Sequence, residues 1–238
     1  MEYIIETKKL TKRYKQVAAV DNVNLNVKKG EIYGLLGRNG AGKTTILKII
    51  LGFTNADEGE VLVFGKPMRG NEKELLHRIG AIIETPGFYP NLTATENLKI
   101  IARIRGGLKD SDIEESLNRV GLPFKDRKLY AEYSLGMKQR LGIAAAIMHD
   151  PELLILDEPI NGLDPIGIAE MRSFIKELVH TSGKTVILSS HILSEIELIA
   201  DTVGIIHQGK LLEESSINQC NGSLEEYFKR ITGGEGIA

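Results

Sequence analysis

The sequence has a single cysteine, Cys220, in 238 residues. An intrachain disulfide is therefore excluded, and so is a cluster of thiolate metal ligands. A reducing, cytosolic compartment fits that usage. Long apolar runs are also missing. LGIAAAIM at 141–148 and LLIL at 153–156 fall well short of the ~18 residues a spanning helix needs. Any role at a membrane is then expected to run through a partner. The opening stretch, MEYIIETKKLTKRY, is charged and has no apolar core of signal-peptide length. Neither sign of charge dominates: 30 Lys and Arg against 32 Asp and Glu leave a net charge of −2. That balance lacks the basic excess of a nucleic-acid binder. No internal repeat and no low-complexity linker interrupts the chain. What is present is enough length for one large α/β domain or two small ones. The composition, 42% hydrophobic and 26% charged, is ordinary for a soluble globular protein.

Periodicity divides the chain. Up to about Gly30 it alternates in period two, which predicts antiparallel strands with turns. EIYGLLG follows as a short, nearly all-apolar strand of the kind buried on both faces of a parallel sheet. KTTILKIILGF then reads as a helix with Ile46, Ile49 and Ile50 inward. Residues of about 85–150 read as a helix-rich insert. There, Thr93 with Glu96 and Ser111 with Glu114 have capping-box spacing, and Gly121 can close the second helix. LLILD and TVILSS read as further buried strands. The helix between them has Asp164 as its cap and Pro165 at its first position. HILSEIELIAD is expected to be helical and TVGIIHQGKLLEE a hairpin. A tail of about 215–238 holds the amphipathic SLEEYFKRI and a fraying GGEGIA. Strands alternating with helices predict an α/β fold: a mostly parallel core sheet flanked by helices, an N-terminal antiparallel lobe and the helical insert. One lobed domain spanning 1–238 is the expected layout.

Two stretches carry chemistry. GRNGAGKT matches the phosphate-binding pattern G-x-x-x-x-G-K-[ST] in full, with a buried strand before it and a helix after. Gly37, Arg38, Asn39, Gly40, Ala41 and Gly42 would close backbone N–H groups around a phosphate at a positive helix end. Lys43 would reach the β- and γ-phosphates, Thr44 would hold Mg²⁺, and Thr45 follows inside the helix. LLILDEP supplies the second part. Asp157, at a strand's C-terminal edge, can bind the Mg²⁺ shell, and Glu158 can polarise a water in line with the γ-phosphate. Taken alone, each has a bland reading: a glycine-rich turn, or a strand end with solvated acids. Together they favour hydrolysis of Mg-ATP or Mg-GTP.

YSLGMKQRLGIAAAIMHDPELLILDEP, at 133–159, resembles the ATP-binding subunits of ABC transporters, as does the chain from about Tyr3 to Ile206. The family signature is usually Leu-Ser-Gly-Gly-Gln. Here Tyr133-Ser134-Leu135-Gly136-Met137 keeps Ser134 and Gly136 and changes the other positions. The resemblance implies a P-loop cassette fold with ATP and Mg²⁺ as ligands. It implies that Ser134 and Gly136 meet the γ-phosphate held by a second ATP-binding subunit, expected to be a second copy. It carries His191 over as the switch histidine and Tyr14 as the aromatic that stacks on adenine. Asn161-Gly162-Leu163-Asp164 becomes the loop that contacts the opposite subunit.

Residues 79–90 read IGAIIETPGFYP. Where most of the family ends this strand on glutamine, this chain has Glu84, which the resemblance makes a further contact of the metal and of the coupling loop. That departure, TPGFYPNLTATENL and the ending SLEEYFKRIT resemble the ATPases of lantibiotic-immunity and bacitracin-resistance exporters. The implied protein is peripheral on the inner face of the cell membrane and drives transmembrane permease subunits. It has no span of its own and no nucleic-acid partner. Competing readings are another ABC exporter or importer, a soluble non-transport ABC ATPase, a small P-loop kinase or GTPase, and a module that only binds nucleotide. Kinases and GTPases have no reason to carry the Ser134 helix start or His191. Retention of Glu158 and His191 speaks against loss of hydrolysis.

Overall fold

The computed structural model describes residues 2–84 and 87–234. A long first strand, β1 (Tyr3–Tyr14), pairs antiparallel with β2 (Val17–Val23) and β3 (Asn26–Lys28), and on its other edge with β5 (Glu58–Val63). A short β6 (Lys66–Pro67) closes that sheet beside β5. The expected antiparallel lobe is therefore present. Its alternation is not strict. Lys9 has φ +50 and lies beside a register shift, so the strand changes phase and keeps both Thr7 and Leu10 buried.

The second sheet is six-stranded, in the order β11 (Lys210–Ser216), β10 (Thr202–His207), β4 (Ile32–Leu36), β9 (Thr185–Ser190), β8 (Leu153–Asp157) and β7 (Ile79–Ile82). Only β11 runs antiparallel; the other neighbours pair in parallel. Every residue of β4, β8 and β9 is buried. Their side chains alternate between two cores. Ile32, Leu36, Leu154, Leu156, Val186 and Leu188 point to one; Tyr33, Leu35, Leu153, Ile155 and Ile187 point to the other. That is why these strands read as unbroken apolar runs: both faces are covered. Each such fully buried aliphatic side chain contributes about 1.5–3 kcal/mol of transfer free energy.

Helix α1 (Lys43–Ile50) follows β4 and buries Ile46, Leu47, Ile49 and Ile50 in the second core. A short α2 (Glu72–Leu76), not foreseen from the sequence, precedes β7. Then come α3 (Ala94–Arg105), α4 (Asp110–Arg119) and α5 (Leu135–Ile147). The Thr93/Glu96 capping box is present. The second predicted box is not. Helix α4 begins before Ser111, and Asp112 accepts from the backbone N–H of Lys109 at 2.7 Å. An aspartate in the first turn offers the N–H at the helix start a charged acceptor, which favours beginning the helix there. Gly121 ends α4 as expected: at φ +71 it donates to Asn118 O, while Leu122 donates to Leu117 O.

Helix α6 (Pro165–His180) starts on the Asp164 cap, whose Oδ1 accepts from Gly167 N at 2.7 Å. The segment after β9 is less helical than its pattern suggested: α7 covers only Leu193–Glu197. The terminal α8 (Leu224–Ile231) buries Leu224, Tyr227 and Phe228 in the first core. Glu197 accepts from its first N–H at 3.2 Å, which docks it on α7. The end of the expected fraying stretch, 235–238, lies outside the described residues. No helix among the described residues is long and apolar enough to cross a membrane.

Candidate functional site

The strand order β4-β9-β8-β7 places four chain segments side by side at the C-terminal ends of parallel strands. The cradle follows β4, His191 follows β9, Asp157 and Glu158 end β8, and Glu84 lies two residues beyond β7. Neighbouring strands stand about 4.8 Å apart, so the ends of such strands converge on one ligand-sized crevice.

The cradle is shaped by steric contact. A Cβ on Gly37 would lie 2.4 Å from Ile206 O, and one on Gly42, at φ +111, 2.4 Å from Ala19 O. The loop is thus wedged between β10 and β2. The hydrogen bond from Gly209 N to Ala41 O (2.9 Å) fixes it to the β10–β11 turn. Ala41 and Gly42 are buried, while Arg38, Asn39 and Gly40 are exposed. Lys43, 6% exposed, donates to Gly37 O at 2.7 Å and Arg38 O at 3.3 Å, and lies 3.2 Å from Glu158 Oε1. Thr45 lies half-buried in the first turn of α1.

Thr44 and Asp157, far apart in the chain, meet here: the threonine Oγ1 donates to Asp157 Oδ2 at 2.9 Å. The other oxygen, Oδ1, accepts from Ser189 Oγ at 2.5 Å. A buried carboxylate needs such donors to offset the loss of water. The register of β8 on β9 pairs Asp157 with Ser189 directly. The same Ser189 hydroxyl oxygen accepts from Glu158 N at 2.9 Å.

Glu158 has φ +49, the left-handed region that a non-glycine residue occupies at a cost of about 1–2 kcal/mol. That conformation lets consecutive carboxylates serve different neighbours. Asp157 points to Thr44 and Ser189, whereas Glu158 lies between Lys43 and His191. His191 Nδ1 stands 2.9 Å from Glu158 Oε2; facing a carboxylate, that nitrogen carries the proton and donates. The arrangement can present a carboxylate to a water while an ammonium and a hydroxyl stand ready for phosphate and metal.

Other sequence-predicted residues stand further out. Tyr14, at the end of β1, is 50% exposed, with Lys12 Nζ 5.5 Å from its ring centre. Glu84 has φ +59 and pairs with Lys48 of α1 at 2.6 Å, which raises the pKa of that ammonium. So Glu84 reaches the cradle helix through Lys48. Ser134 caps α5, accepting from Met137 N at 3.3 Å, and is exposed. Gly136 packs towards Leu163 Cδ2. No hydrogen bond among the described residues joins Ser134 or Gly136 to the cradle. Both instead rim a groove of about 770 Å³ shared with Gly162, Leu163 and Asp164.

Sequence reasoning missed three members of this neighbourhood. Ser189 and Lys48 sit in segments whose pattern only signalled a strand and a helix. Gln139, on α5, donates from Nε2 to Pro159 O (2.8 Å) and Glu158 O (3.3 Å). For Ser189 the paired serines ending an apolar strand were a signal; for Lys48 and Gln139 the pattern held none.

Comparison with known proteins identifies the family. The sequence profile of the ABC transporter family matches residues 20–161. The chain belongs to that family. It is 56% identical over 227 residues to the bacitracin transport ATP-binding protein BcrA of Enterococcus faecalis, covering 95% of this chain and 74% of that protein. It is 44% identical to the lantibiotic transport ATP-binding protein SrtF of Streptococcus pyogenes, covering 94% and 96% respectively. Among solved structures, a dimeric ATP-binding cassette in a post-hydrolysis state with ADP and Pi superposes with a TM-score of 0.81 at 27% identity. That match covers 90% of this chain and 98% of the other. The protein is thus an ATP-binding ATPase subunit of the ABC class, whose members dimerise and work with transmembrane permeases.

Proposed function

We propose that this subunit hydrolyses Mg-ATP between two copies of itself and so drives permease subunits that expel peptide antibiotics of the bacitracin or lantibiotic kind. The whole chain, 1–238, serves as one ATP-binding domain, held at the inner face of the membrane by its permeases. The observation that carries the reading is the single connected cluster Lys43–Glu158–His191 and Thr44–Asp157–Ser189.

Magnesium fits the donors. Thr44 and Asp157 offer hard oxygens 2.9 Å apart. The described residues contain no group of three His, Cys, Asp or Glu that could hold a metal. A cation that keeps several waters and completes its shell with substrate phosphates suits such a sparse set. When bound, it neutralises charge developing on the phosphates. Residues 37–45 wrap the phosphates, with Lys43 giving up its carbonyl partners to reach them, and Tyr14 stacks on the base. Glu158 takes a proton from the attacking water, and His191 holds the carboxylate in position. Ser134, exposed, and Gly136, half-buried, at the start of α5, face the nucleotide of the other copy. Glu84 joins the metal site only by leaving Lys48.

The test uses the full chain. Glu158→Gln is expected to retain ATP binding, to accumulate as an ATP-bound dimer on size exclusion, and to turn over roughly a hundredfold more slowly or worse. Wild-type turnover would remove Glu158 from the chemistry. In cells, the same variant is expected to lower tolerance to bacitracin or to a lantibiotic. Unchanged tolerance to both peptide classes would overturn the substrate assignment.

A further inference from the structure

Glu158 is the only member of the β8 end whose backbone is left-handed, at φ +49, among residues 153–158. Such a conformation persists only where surrounding contacts over-determine it. Its N–H is fixed by Ser189 Oγ at 2.9 Å. Its carbonyl accepts from Asn161 N within the turn at 3.2 Å and from Gln139 Nε2 of α5 at 3.3 Å, and the same amide nitrogen reaches Pro159 O at 2.8 Å. Gln139 therefore spans two successive carbonyls of the turn that aims the glutamate. It does so from α5, the helix whose N-cap is Ser134. Ser134 and Gln139 lie little more than one helical turn apart, so they move as one body.

From this geometry we infer that Gln139 is the positioning residue of the hydrolytic site. It clamps the Glu158–Pro159 turn to α5, adding to the hold of Ser189 and Asn161 so that the aim of the carboxylate depends on that helix as well. The inference rests on Glu158 acting on the water. It adds that the helix presenting Ser134 to one nucleotide also orients the base acting on another. Loss of the clamp leaves every group that touches phosphate, metal or base unchanged. Its cost falls on the chemical step, where small displacements of a reacting group are expensive.

Steady-state ATPase assays and nucleotide-binding titrations on the full chain test this with two substitutions. Gln139→Met keeps length and removes the donor. It is expected to lower kcat by roughly ten- to a hundredfold, with KM and ATP affinity within about twofold of wild type. Gln139→Glu places a carboxylate, which cannot donate, against two carbonyl oxygens. Its deficit relative to wild type is expected to shrink as pH falls and the acid becomes a donor. A purely structural role would instead lower the unfolding midpoint and affinity together, with no such pH trend, and would overturn the inference. Glu158→Gln run alongside separates the two readings. If it is slow while Gln139→Met turns over normally, the clamp fails and the base stands. If both turn over normally, both fail.

Discussion

The ammonium of Lys43 lies 3.2 Å from a carboxylate oxygen of Glu158. A residue assigned to phosphate and a residue assigned to water thus neutralise each other at the mouth of the cradle. On the proposed function, phosphates entering the loop compete for Lys43. The ammonium then exchanges its carboxylate neighbour for phosphate oxygens, and Glu158 keeps His191 as its remaining partner. Arrival of nucleotide and release of the base become one event.

Lys43→Met is therefore expected to weaken ATP binding by at least about tenfold, since a charge-assisted contact to phosphate is worth ~1.5–3 kcal/mol. Titration with a fluorescent ATP analogue reads this directly. Affinity equal to wild type would show that the cradle binds through its backbone alone.

Gly42 and Gly30 make a matched pair. Both have positive φ, +111 and +78, but a Cβ at Gly42 meets Ala19 O at 2.4 Å while one at Gly30 meets nothing within 4 Å. Gly42→Ala is expected to cost about 2–4 kcal/mol, from strain plus overlap. Gly30→Ala is expected to cost about 1 kcal/mol, from strain alone. Urea unfolding of the two variants compares them, and equal costs would refute the wedge argument.

Glu84→Gln removes the ion pair with Lys48. The pair is largely exposed, with Glu84 at 65% and Lys48 at 33%, so the unfolding midpoint should scarcely move. ATPase rate or peptide tolerance is expected to change instead, because the residue sits between the cradle helix and the segment after β7. If rate and tolerance both stay at wild-type level, glutamate is a neutral replacement for glutamine here.

His149 gives the fold a pH dependence of its own. Burial, and then the positive Arg105 nearby, push its pKa down to about 4, and its Nδ1 is buried without a partner. The unfolded chain takes up a proton below ~6.5, whereas the folded one resists until about 4. Stability is thus fully present above about pH 6.5 and falls as pH drops towards 4, by up to ~3 kcal/mol. Measured between pH 7.5 and 4.5, the unfolding free energy of wild type should fall more steeply on acidification than that of His149→Gln. Parallel curves would contradict the assignment.

Most of the fold was legible because its signals are local. The buried strands β4, β8 and β9, the Thr93, Ser134 and Asp164 caps, and the Gly121 stop each depend on residues within about four positions. The start of α4 was misplaced because Asp112 accepts from the Lys109 N–H, which lets the helix begin at Asp110, one residue before Ser111. Helix α7 came out shorter than its pattern because the chain must turn into β10 at Asp201, whose N–H pairs with Ile32 O at 2.9 Å. No periodicity encodes that demand.

By itself the sequence determined which chemical groups exist: a glycine loop ending on Lys43 and Thr44, two successive acids, a histidine after an apolar strand, a serine-capped helix. Their side-chain types and short spacings are enough to name a nucleotide site. Only tertiary structure decided how they meet. Strand order brings Thr44 to Asp157 across 113 positions, and register puts Ser189 opposite that acid. The left-handed turn sends Glu158 to Lys43 and His191, Gln139 closes on it from another helix, and Glu84 lies on Lys48. Those contacts arise from the packing of elements remote in the chain, and a one-residue shift in strand register would turn the same side chains to the opposite face.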